Sequence, residues 1–234
     1  MARRPANEQG NTVARIRAAA FRLFGRFGYD GVSMLTVARE SDITKAALYW
    51  HYDNKEALYS DCMRRLVGLF EHHVFEPAQR EPDPIDRIFM LFVGLERLGA
   101  DPRVADGVAG YWLRPSTAPA ENARALQIEF EQNAETAVEH MLEQAQDAGV
   151  LGVGDSARDI GRAFIAIMEG VVLPLGGRTE SEQNRLVAVM AHIFFKAHAS
   201  APELAERARK LLTQGDKSAD TVRLASGHVA EHQH

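Results

Sequence analysis

SDITKAALYWHYDNKEAL, residues 41–58, is the most informative segment of this sequence. Thr44 is a favourable residue for the N-cap of a helix, and the eight residues after it include neither Gly nor Pro. Those eight residues bring together a lysine, three aromatic rings and a histidine imidazole. A buried core rarely uses cationic and aromatic side chains at this density. The stretch therefore predicts a short helix that binds another molecule.

The expected helix has two sides, because successive residues are rotated by about 100° around its axis. Leu48 and Tyr52 fall on one side, where they can pack on the preceding helix. The other side carries, broadly, Ala46, Ala47, Trp50 and His51. In the major groove of DNA, alanine methyl groups can contact thymine methyl groups, and Lys45 can reach guanine edges or phosphate. This side of the helix thus has the chemistry of base readout.

Side chains at the edges of the same stretch suit the DNA backbone. Tyr49 and His51 can donate hydrogen bonds to phosphate oxygens, which orient a helix without reading sequence. Asn54 and Lys55 open the next helix, whose free N–H groups and partial positive charge also favour phosphate. An exposed aromatic patch that binds a protein partner is the alternative for the whole cluster.

Two more helices are predicted upstream. Apolar residues recur at three- and four-residue spacing from Val13 to Phe27, and Gly28 suits the C-cap of that helix. Ser33 can cap a short second helix. The connection from Glu40 to Ile43 then has the length that a helix-turn-helix uses. Helical periodicity also dominates the rest of the chain, so we predict an all-α fold.

The residues just described resemble the N-terminal domain of tetracycline-repressor-type (TetR family) regulators. The resemblance covers roughly Val13–Leu58, and LYWHYDNKEAL is particularly similar to the exit of that family's recognition helix. It is carried by Phe24, Gly28-Tyr29, Ser33, Val37-Ala38, Ile43-Thr44, Leu48–Tyr52, Lys55 and Leu58. The family's turn usually has glycine where this chain has Asp42. Asp tolerates a left-handed conformation better than most residues, so we expect the turn to be kept.

The resemblance implies two domains and a homodimer on a near-palindromic, double-stranded operator. Residues 1–56 would form a three-helix helix-turn-helix domain, residues 57–213 a larger helical ligand-binding and dimerisation domain, and residues 214–234 a disordered tail. Contacts to DNA would come from Ser33, Thr44, Lys45, Ala46, Ala47, Tyr49, Trp50, His51 and Lys55. The recognition helices of the two subunits would lie about one turn of DNA apart, roughly 34–36 Å.

The C-terminal domain is expected to be a helical bundle. We predict helices over Asp53–Val74, Ile85–Gly99, Pro102–Leu113, Asn122–Ala148, Ala157–Leu173, Glu182–Ala199 and Pro202–Leu212. By the resemblance, the helices Ala157–Leu173 and Glu182–Ala199 would pair with those of a second subunit. The interface residues would be Ile160, Phe164, Ile167, Leu186, Val189, Met190, Ile193 and Phe194.

The resemblance also implies that the C-terminal domain senses a small, largely apolar effector that releases a repressor from its operator. Candidate ligand contacts are Phe70, Phe89, Phe92, Glu96, Tyr111, Trp112, Phe130, Met141, Phe164 and Met168. We expect no cofactor and no metal: His72 and His73 are adjacent, so they point about 100° apart and cannot chelate alone. Cys62 is expected to be a small core residue.

The N-terminal part of the chain is mildly basic and the remainder is acidic, which is the distribution expected when only the N-terminal part binds DNA. The chain carries −5 overall, yet residues 1–60 hold nine Lys and Arg against six Asp and Glu, and the remainder 18 against 26. A single cysteine, no signal sequence and no run of about 18 apolar residues favour a soluble, cytoplasmic protein without membrane association.

Two other classes of function compete with this interpretation. An enzyme is disfavoured because the sequence lacks GxSxG, HExxH and a phosphate-binding glycine loop, and because it would leave the cluster at 41–58 unexplained. The second is a helical adaptor, or a DNA-binding protein without a small-molecule ligand. A cavity of several hundred cubic ångströms in the C-terminal bundle would favour a sensor, and a filled core would favour the second class.

Overall fold

The computed structural model of the chain describes residues 6–113, 121–173 and 177–207. In these ranges the elements are helices joined by turns, with an isolated backbone bridge between Leu151 and Ala199. The α-helices are α1 Ala6–Phe27, α2 Met34–Glu40, α3 Lys45–His51, α4 Lys55–Phe70, α5 Glu76–Arg80, α6 Pro84–Gly99, α7 Glu121–Asp147, α8 Ala157–Val172 and α9 Glu180–His198. The predicted all-α fold is confirmed. We call α1 to α3 the head and α4 to α9 the body.

Local signals in the sequence set the ends of the head's helices. The side chain of Ser33 caps α2 by accepting a hydrogen bond from the Thr36 amide, and Thr44 caps α3 in the same way. Gly28 follows α1 with a φ of 68°, and Asp42 adopts the left-handed conformation with a φ of 53°. Both caps and the turn at Asp42 are therefore confirmed.

The first turns of α4 complete the hydrophobic core of the head. Leu48 on α3 and Leu58 on α4 are both fully buried. The Tyr59 ring packs edge-on against Phe24 and Tyr29, at centroid distances of 4.9 and 5.2 Å. The first turns of α4 are therefore part of the core of the head.

The helix that begins at Lys55 runs further than predicted. It passes through a π-helical turn, Glu71–Phe75, into α5, so the predicted end near Val74 was wrong. Pro77 does not stop it because it lies in the first turn of α5, where no amide hydrogen bond is needed. Gly94 of α6 packs on the π-helical turn: a Cβ there would lie 2.6 Å from the His73 carbonyl oxygen.

The predicted helix Pro102–Leu113 was also wrong, because turns and a single 3-10 turn, Ala109–Tyr111, take its place. The Asp101 carboxylate accepts hydrogen bonds from both the amide and the Nε atom of Arg103, each at 2.8 Å, which hold the local turn. Gly107 adopts a φ of 93°, which a helix does not allow.

Residues 107–113 join the body to α1 through close backbone contacts. A methyl group on Gly110 would overlap the carbonyl oxygen of Phe24, and one on Gly25 would overlap that of Gly107. The Tyr111 hydroxyl donates a hydrogen bond to the Phe21 carbonyl oxygen at 3.0 Å. We call Gly25, Gly107 and Gly110 the glycine joint.

The remaining helices cover the other side of the body. Ser156 caps α8, and Thr179 with Glu182 forms a capping box at the start of α9. Residues 202–207 are helical, while the rest of the helix predicted to Leu212 and the tail predicted at 214–234 lie outside the described residues. Within those residues, every helix is too short or too polar to cross a bilayer.

Candidate nucleic-acid interface and interior cavity

The structure places the predicted DNA-reading side chains on the solvent side of α3. Lys45, Ala46, Tyr49 and Trp50 are exposed, and Ala47 and His51 are half-buried. The Trp50 side chain is 76% exposed, although an indole contributes a large apolar surface. Such an arrangement favours contact with another molecule, because Leu48 is the buried residue of this helix and the apolar surface of Trp50 is left in solvent.

A polar cluster that sequence reasoning missed fixes the end of α3. The Tyr52 hydroxyl donates to Asp61 Oδ2 at 2.6 Å, and Arg17 Nε donates to the same oxygen at 2.8 Å. Burial acts to raise the pKa of Asp61, but the hydrogen bonds from Tyr52 and Arg17 outweigh it and lower that pKa. Burial, together with the bond to Asp61, raises the pKa of Tyr52 to about 12. The charged carboxylate thus ties α3 to both α1 and α4.

The predicted phosphate contacts have structural partners within the chain. Ser33 and Thr44 are the N-caps of α2 and α3. Lys55 Nζ donates to the Val32 carbonyl oxygen at 3.0 Å and lies 4.0 Å from the Tyr29 ring centroid. Burial lowers the pKa of Lys55. Its ammonium therefore holds the loop before α2, and its contact with DNA stays a prediction.

An open groove beside α3 adds positive charge next to Trp50. It runs between α1, the end of α3 and α4, and is lined by Gly10, Val13, Ala14, Arg17, Ala18, Trp50, His51 and Arg65. Arg17 and Arg65 come from different helices, so no local pattern in the sequence pointed to them. Their position suits a DNA backbone that passes the exposed indole.

The eight predicted interface residues do not share one environment in the isolated chain. Ile167, Val189 and Ile193 are exposed, Leu186 and Met190 are half-buried, and Ile160, Phe164 and Phe194 are buried. The rings of Phe164 and Phe194 lie 5.4 Å apart, and both contact Phe92 of α6. These two rings fill the chain's own core, whereas the three exposed residues leave an apolar surface on α8 and α9.

Four of the ten predicted ligand contacts surround one interior cavity of about 40 Å³. We call it the aromatic cavity. It is lined by Phe70, Phe75, Trp112, Phe130, Glu131, Ala134, Ile165, Met168, Glu169 and Val172. Trp112 Nε1 donates to Glu169 Oε1 at 3.1 Å, and the rings of Phe70 and Phe130 lie 5.1 Å apart.

The other six predicted ligand contacts lie elsewhere. Phe89 and Phe92 pack on Phe195 of α9, and Phe164 belongs to the same ring cluster. Tyr111 packs in the head against Phe21 and Tyr59, and Met141 is buried on α7. Helical periodicity marks all of these residues as buried and does not separate those that border empty space.

Glu96 is half-buried on α6, outside the lining of the aromatic cavity. Burial raises its pKa to about 7, with a smaller opposing effect of Arg97. Its Oε1 atom is buried and has no hydrogen-bond partner among the described residues. A charged carboxylate in this position destabilises the fold at neutral pH.

The histidines and the cysteine have structural surroundings. His73 Nε2 lies 2.9 Å from Asp101 Oδ2, and the hydrogen bond from Arg103 holds the pKa of Asp101 well below its usual range. In the part of the chain that the structure describes, no three His, Cys, Asp or Glu side chains are placed to hold a metal ion. Burial raises the pKa of Cys62 to about 12.

Comparison with known proteins points to one family. Residues 16–62 match the family described as bacterial regulatory proteins, tetR family. Over 51 residues the chain is 39% identical to IcaR of Staphylococcus epidermidis, an HTH-type negative transcriptional regulator of the biofilm operon icaADBC. That match covers 22% of this chain and 28% of the relative, so the chain matches less than a third of the relative's length.

Two solved structures resemble the whole fold. AibR in complex with isovaleryl coenzyme A and operator DNA has a TM-score of 0.60 and 21% identity, covering 77% of this chain and 95% of AibR. The SmeT–triclosan complex has a TM-score of 0.64 and 18% identity, covering 81% of this chain and 92% of SmeT. At these identities the likeness shows the fold alone.

Proposed function

We propose that the chain is a DNA-binding transcriptional repressor of the TetR type, released by a small, largely apolar molecule; the match of residues 16–62 to the tetR family of bacterial regulatory proteins supports this. One observation carries the proposal: α3 is capped by Thr44, anchored by Leu48, and presents Trp50 almost fully to solvent. A helix held rigidly on one side and exposed on the other is the element that enters a major groove. The protein is a regulator in this proposal and not an enzyme.

Contacts to DNA divide by their chemistry. Lys45, Ala46, Ala47 and Trp50 face the bases, where they distinguish one sequence from another. Ser33, Thr44, Tyr49, His51 and Lys55 lie around them and contact phosphate, which sets the register of the helix. Arg17 and Arg65 in the neighbouring groove extend the positive surface along the backbone.

A homodimer in the cytoplasm completes the proposal. Ile167 on α8 and Val189 and Ile193 on α9 are each at least half exposed in the isolated chain. Burying such residues against a second copy is favourable, because apolar area removed from water contributes about 25 cal/mol per Å². Two heads then meet a near-palindromic operator about one turn of DNA apart, roughly 34–36 Å.

Release by an effector requires the aromatic cavity to open. Its volume of about 40 Å³ is far below the roughly 300–1,000 Å³ of pockets that bind small molecules. A ligand would have to displace the rings of Phe70, Trp112 and Phe130, and α4 would carry the change from Phe70 to the core of the head. AibR and SmeT have been solved with isovaleryl coenzyme A and with triclosan, which supports an effector site in this fold.

The small cavity favours a second candidate function, a DNA-binding regulator or adaptor that responds to no small molecule. In that case the body only dimerises. Operator binding would be the same in both candidates. The two candidates differ in one observable property. Only the first has an effector that lowers operator affinity, because the effector binds more tightly to the conformation that does not bind DNA.

The test is fluorescence anisotropy of the full chain with DNA from upstream of its own gene and with a scrambled duplex, each titrated with salt. We expect tighter binding to the upstream DNA at every salt concentration, and a steep loss of affinity with salt on both duplexes. Equal, weak binding to both duplexes, extended to a library of genomic fragments, would reject the proposal. It would instead assign the exposed face of α3 to a protein partner.

A further inference from the structure

The walls of the aromatic cavity have an unusual combination of side chains. Four aromatic rings, those of Phe70, Phe75, Trp112 and Phe130, surround it, and two carboxylates, Glu131 and Glu169, belong to the same lining. The described lining contains no Lys, Arg or His. Aromatic faces and carboxylates both attract positive charge.

The two carboxylates approach the cavity from different helices. Glu131 lies on α7 and Glu169 on α8, and both are half-buried. Glu169 accepts a hydrogen bond from Trp112 Nε1 at 3.1 Å, and Glu131 accepts one from Gln127 Nε2 at 3.2 Å. Among the described residues, neither carboxylate forms an ion pair with a basic side chain, whereas Glu135, one turn from Glu131, pairs with Arg162.

A bound cation would be attracted by both carboxylates, and the aromatic faces would add cation–π attraction. An anion would meet two like charges in the same space, and a neutral ligand would supply no positive charge to either carboxylate.

We infer that the effector of this regulator is a lipophilic cation, held between the carboxylates of Glu131 and Glu169 and the rings that line the aromatic cavity. The inference rests on the proposed function, because it names the chemical class of the molecule that opens this cavity. It separates the chain from AibR, whose complex holds isovaleryl coenzyme A, and from SmeT, whose complex holds triclosan.

Trp112 couples the charge of the ligand to the joint between body and head. Its indole N–H binds Glu169 in the cavity, while the preceding residue, Tyr111, donates its hydroxyl to Phe21 of α1. A cation that attracts Glu169 and displaces the indole therefore moves the segment that contacts the glycine joint. The contact with the cavity and the contact with α1 are therefore made by two consecutive residues, Trp112 and Tyr111.

Two pairs of probes test the charge preference while keeping shape constant. The larger pair is tetraphenylphosphonium and tetraphenylborate, and the smaller is phenyltrimethylammonium and tert-butylbenzene. Members of a pair require the same opening of the cavity, so the free energy of opening cancels between them. Trp112 reports binding in the Trp50→Phe chain, because the sequence contains two tryptophans, and calorimetry on the unmodified chain checks the affinities.

For each pair in which binding is detected, we expect the cation to bind more tightly than the anionic or neutral probe of the same shape. Glu169→Gln should weaken cation binding about tenfold, because it removes one charged contact of about 1.4 kcal/mol. Glutamine still accepts the Trp112 hydrogen bond, so the affinity for tert-butylbenzene should not change. Glu131→Gln should act in the same direction, and Glu135→Gln, on the same helix but outside the lining, should have no effect.

Three outcomes would overturn the inference. They are tighter binding of tetraphenylborate, equal loss of cation and neutral probe in Glu169→Gln, and no binding of either cation. Operator binding is measured separately without any probe, so a chain that binds its operator and no cation refutes the effector class alone. A chain that binds no DNA refutes the proposed function whatever the probes do.

Discussion

In the head, the side chains expected to contact DNA stand in solvent on a rigid helix, whereas in the body the candidate effector contacts are packed against one another. Trp50 is 76% exposed, and Phe130 is 9% exposed. A surface residue of the first kind can be exchanged without disturbing the fold. A buried residue of the second kind changes stability whenever it changes binding. The difference predicts which substitutions separate function from folding.

The largest effect is expected at the glycine joint, where the two regions meet. Gly110→Ala places a methyl group on the carbonyl oxygen of Phe24 and should lower the free energy of unfolding by about 3 kcal/mol, because backbone cannot move aside as a side chain does. Urea denaturation followed by circular dichroism measures it. Gly68→Ala is the matched control: that glycine lies in α4 with open space around it, so the change should stabilise by roughly 0.5–1 kcal/mol. Equal stability of the two variants would show that head and body are not joined here.

The next largest effect separates binding from folding in the head. Trp50→Ala should reduce the preference for operator over scrambled DNA by about 2 kcal/mol, roughly 30-fold, because it removes a contact to the bases. The free energy of unfolding should change by less than about 0.5 kcal/mol, since the side chain is exposed. Ile128→Ala, an exposed apolar residue on α7, should alter neither quantity. Equal losses on both duplexes would place Trp50 outside base readout.

A smaller effect tests the interior of the body through pH. The pKa of Glu96 is raised from its ordinary 4.5 to about 7, so the folded chain binds more protons than the unfolded chain between these values, and stability falls as the pH rises through that window. Glu96→Gln should therefore raise the free energy of unfolding by about 1–2 kcal/mol at pH 8, after allowance for partial exposure. The gain should vanish towards pH 4.5. Urea titrations at several pH values, with Glu129→Gln as the surface control, give the answer; a gain independent of pH would contradict it.

The smallest effect concerns the contact that holds the end of α3. Tyr52→Phe keeps the ring and removes the hydroxyl that donates to Asp61, which should lower the free energy of unfolding by about 1 kcal/mol. Arg17 still binds Asp61, so the fold should survive. Operator affinity should also fall, because α3 loses the hydrogen bond that joins its end to α4. Unchanged stability and unchanged affinity together would show that Leu48 alone positions the helix.

The structure of the head could be predicted from its sequence because local interactions determine the ends of its helices. The caps at Ser33 and Thr44 and the left-handed turn at Asp42 involve neighbours within a few residues, so propensity and spacing predict them. Contacts between residues far apart in sequence cannot be predicted in this way. The residues around Arg17 do not indicate that Arg17 and Tyr52 both donate to the same oxygen of Asp61.

The body was predicted less completely for the same reason. Its helices follow from the apolar period. That period also predicted a helix over residues 102–113, where the structure has turns and a left-handed Gly107 instead. The π-helical turn is accommodated by Gly94 on another helix. Periodicity also marks Phe92 and Phe130 alike as buried, and only tertiary packing decides that Phe130 borders a cavity while Phe92 packs on Phe164.

The burial of Cys62 makes this chain convenient for spectroscopic labelling. It is the single cysteine of the sequence, it is 2% exposed, and with a pKa of about 12 it carries almost no thiolate at neutral pH. A cysteine introduced at an exposed position, such as Val153→Cys, would therefore react with maleimide or nitroxide reagents without removal of the native one. In the proposed homodimer, one substitution would thus place a label on each subunit, and the distance between the two labels could be measured.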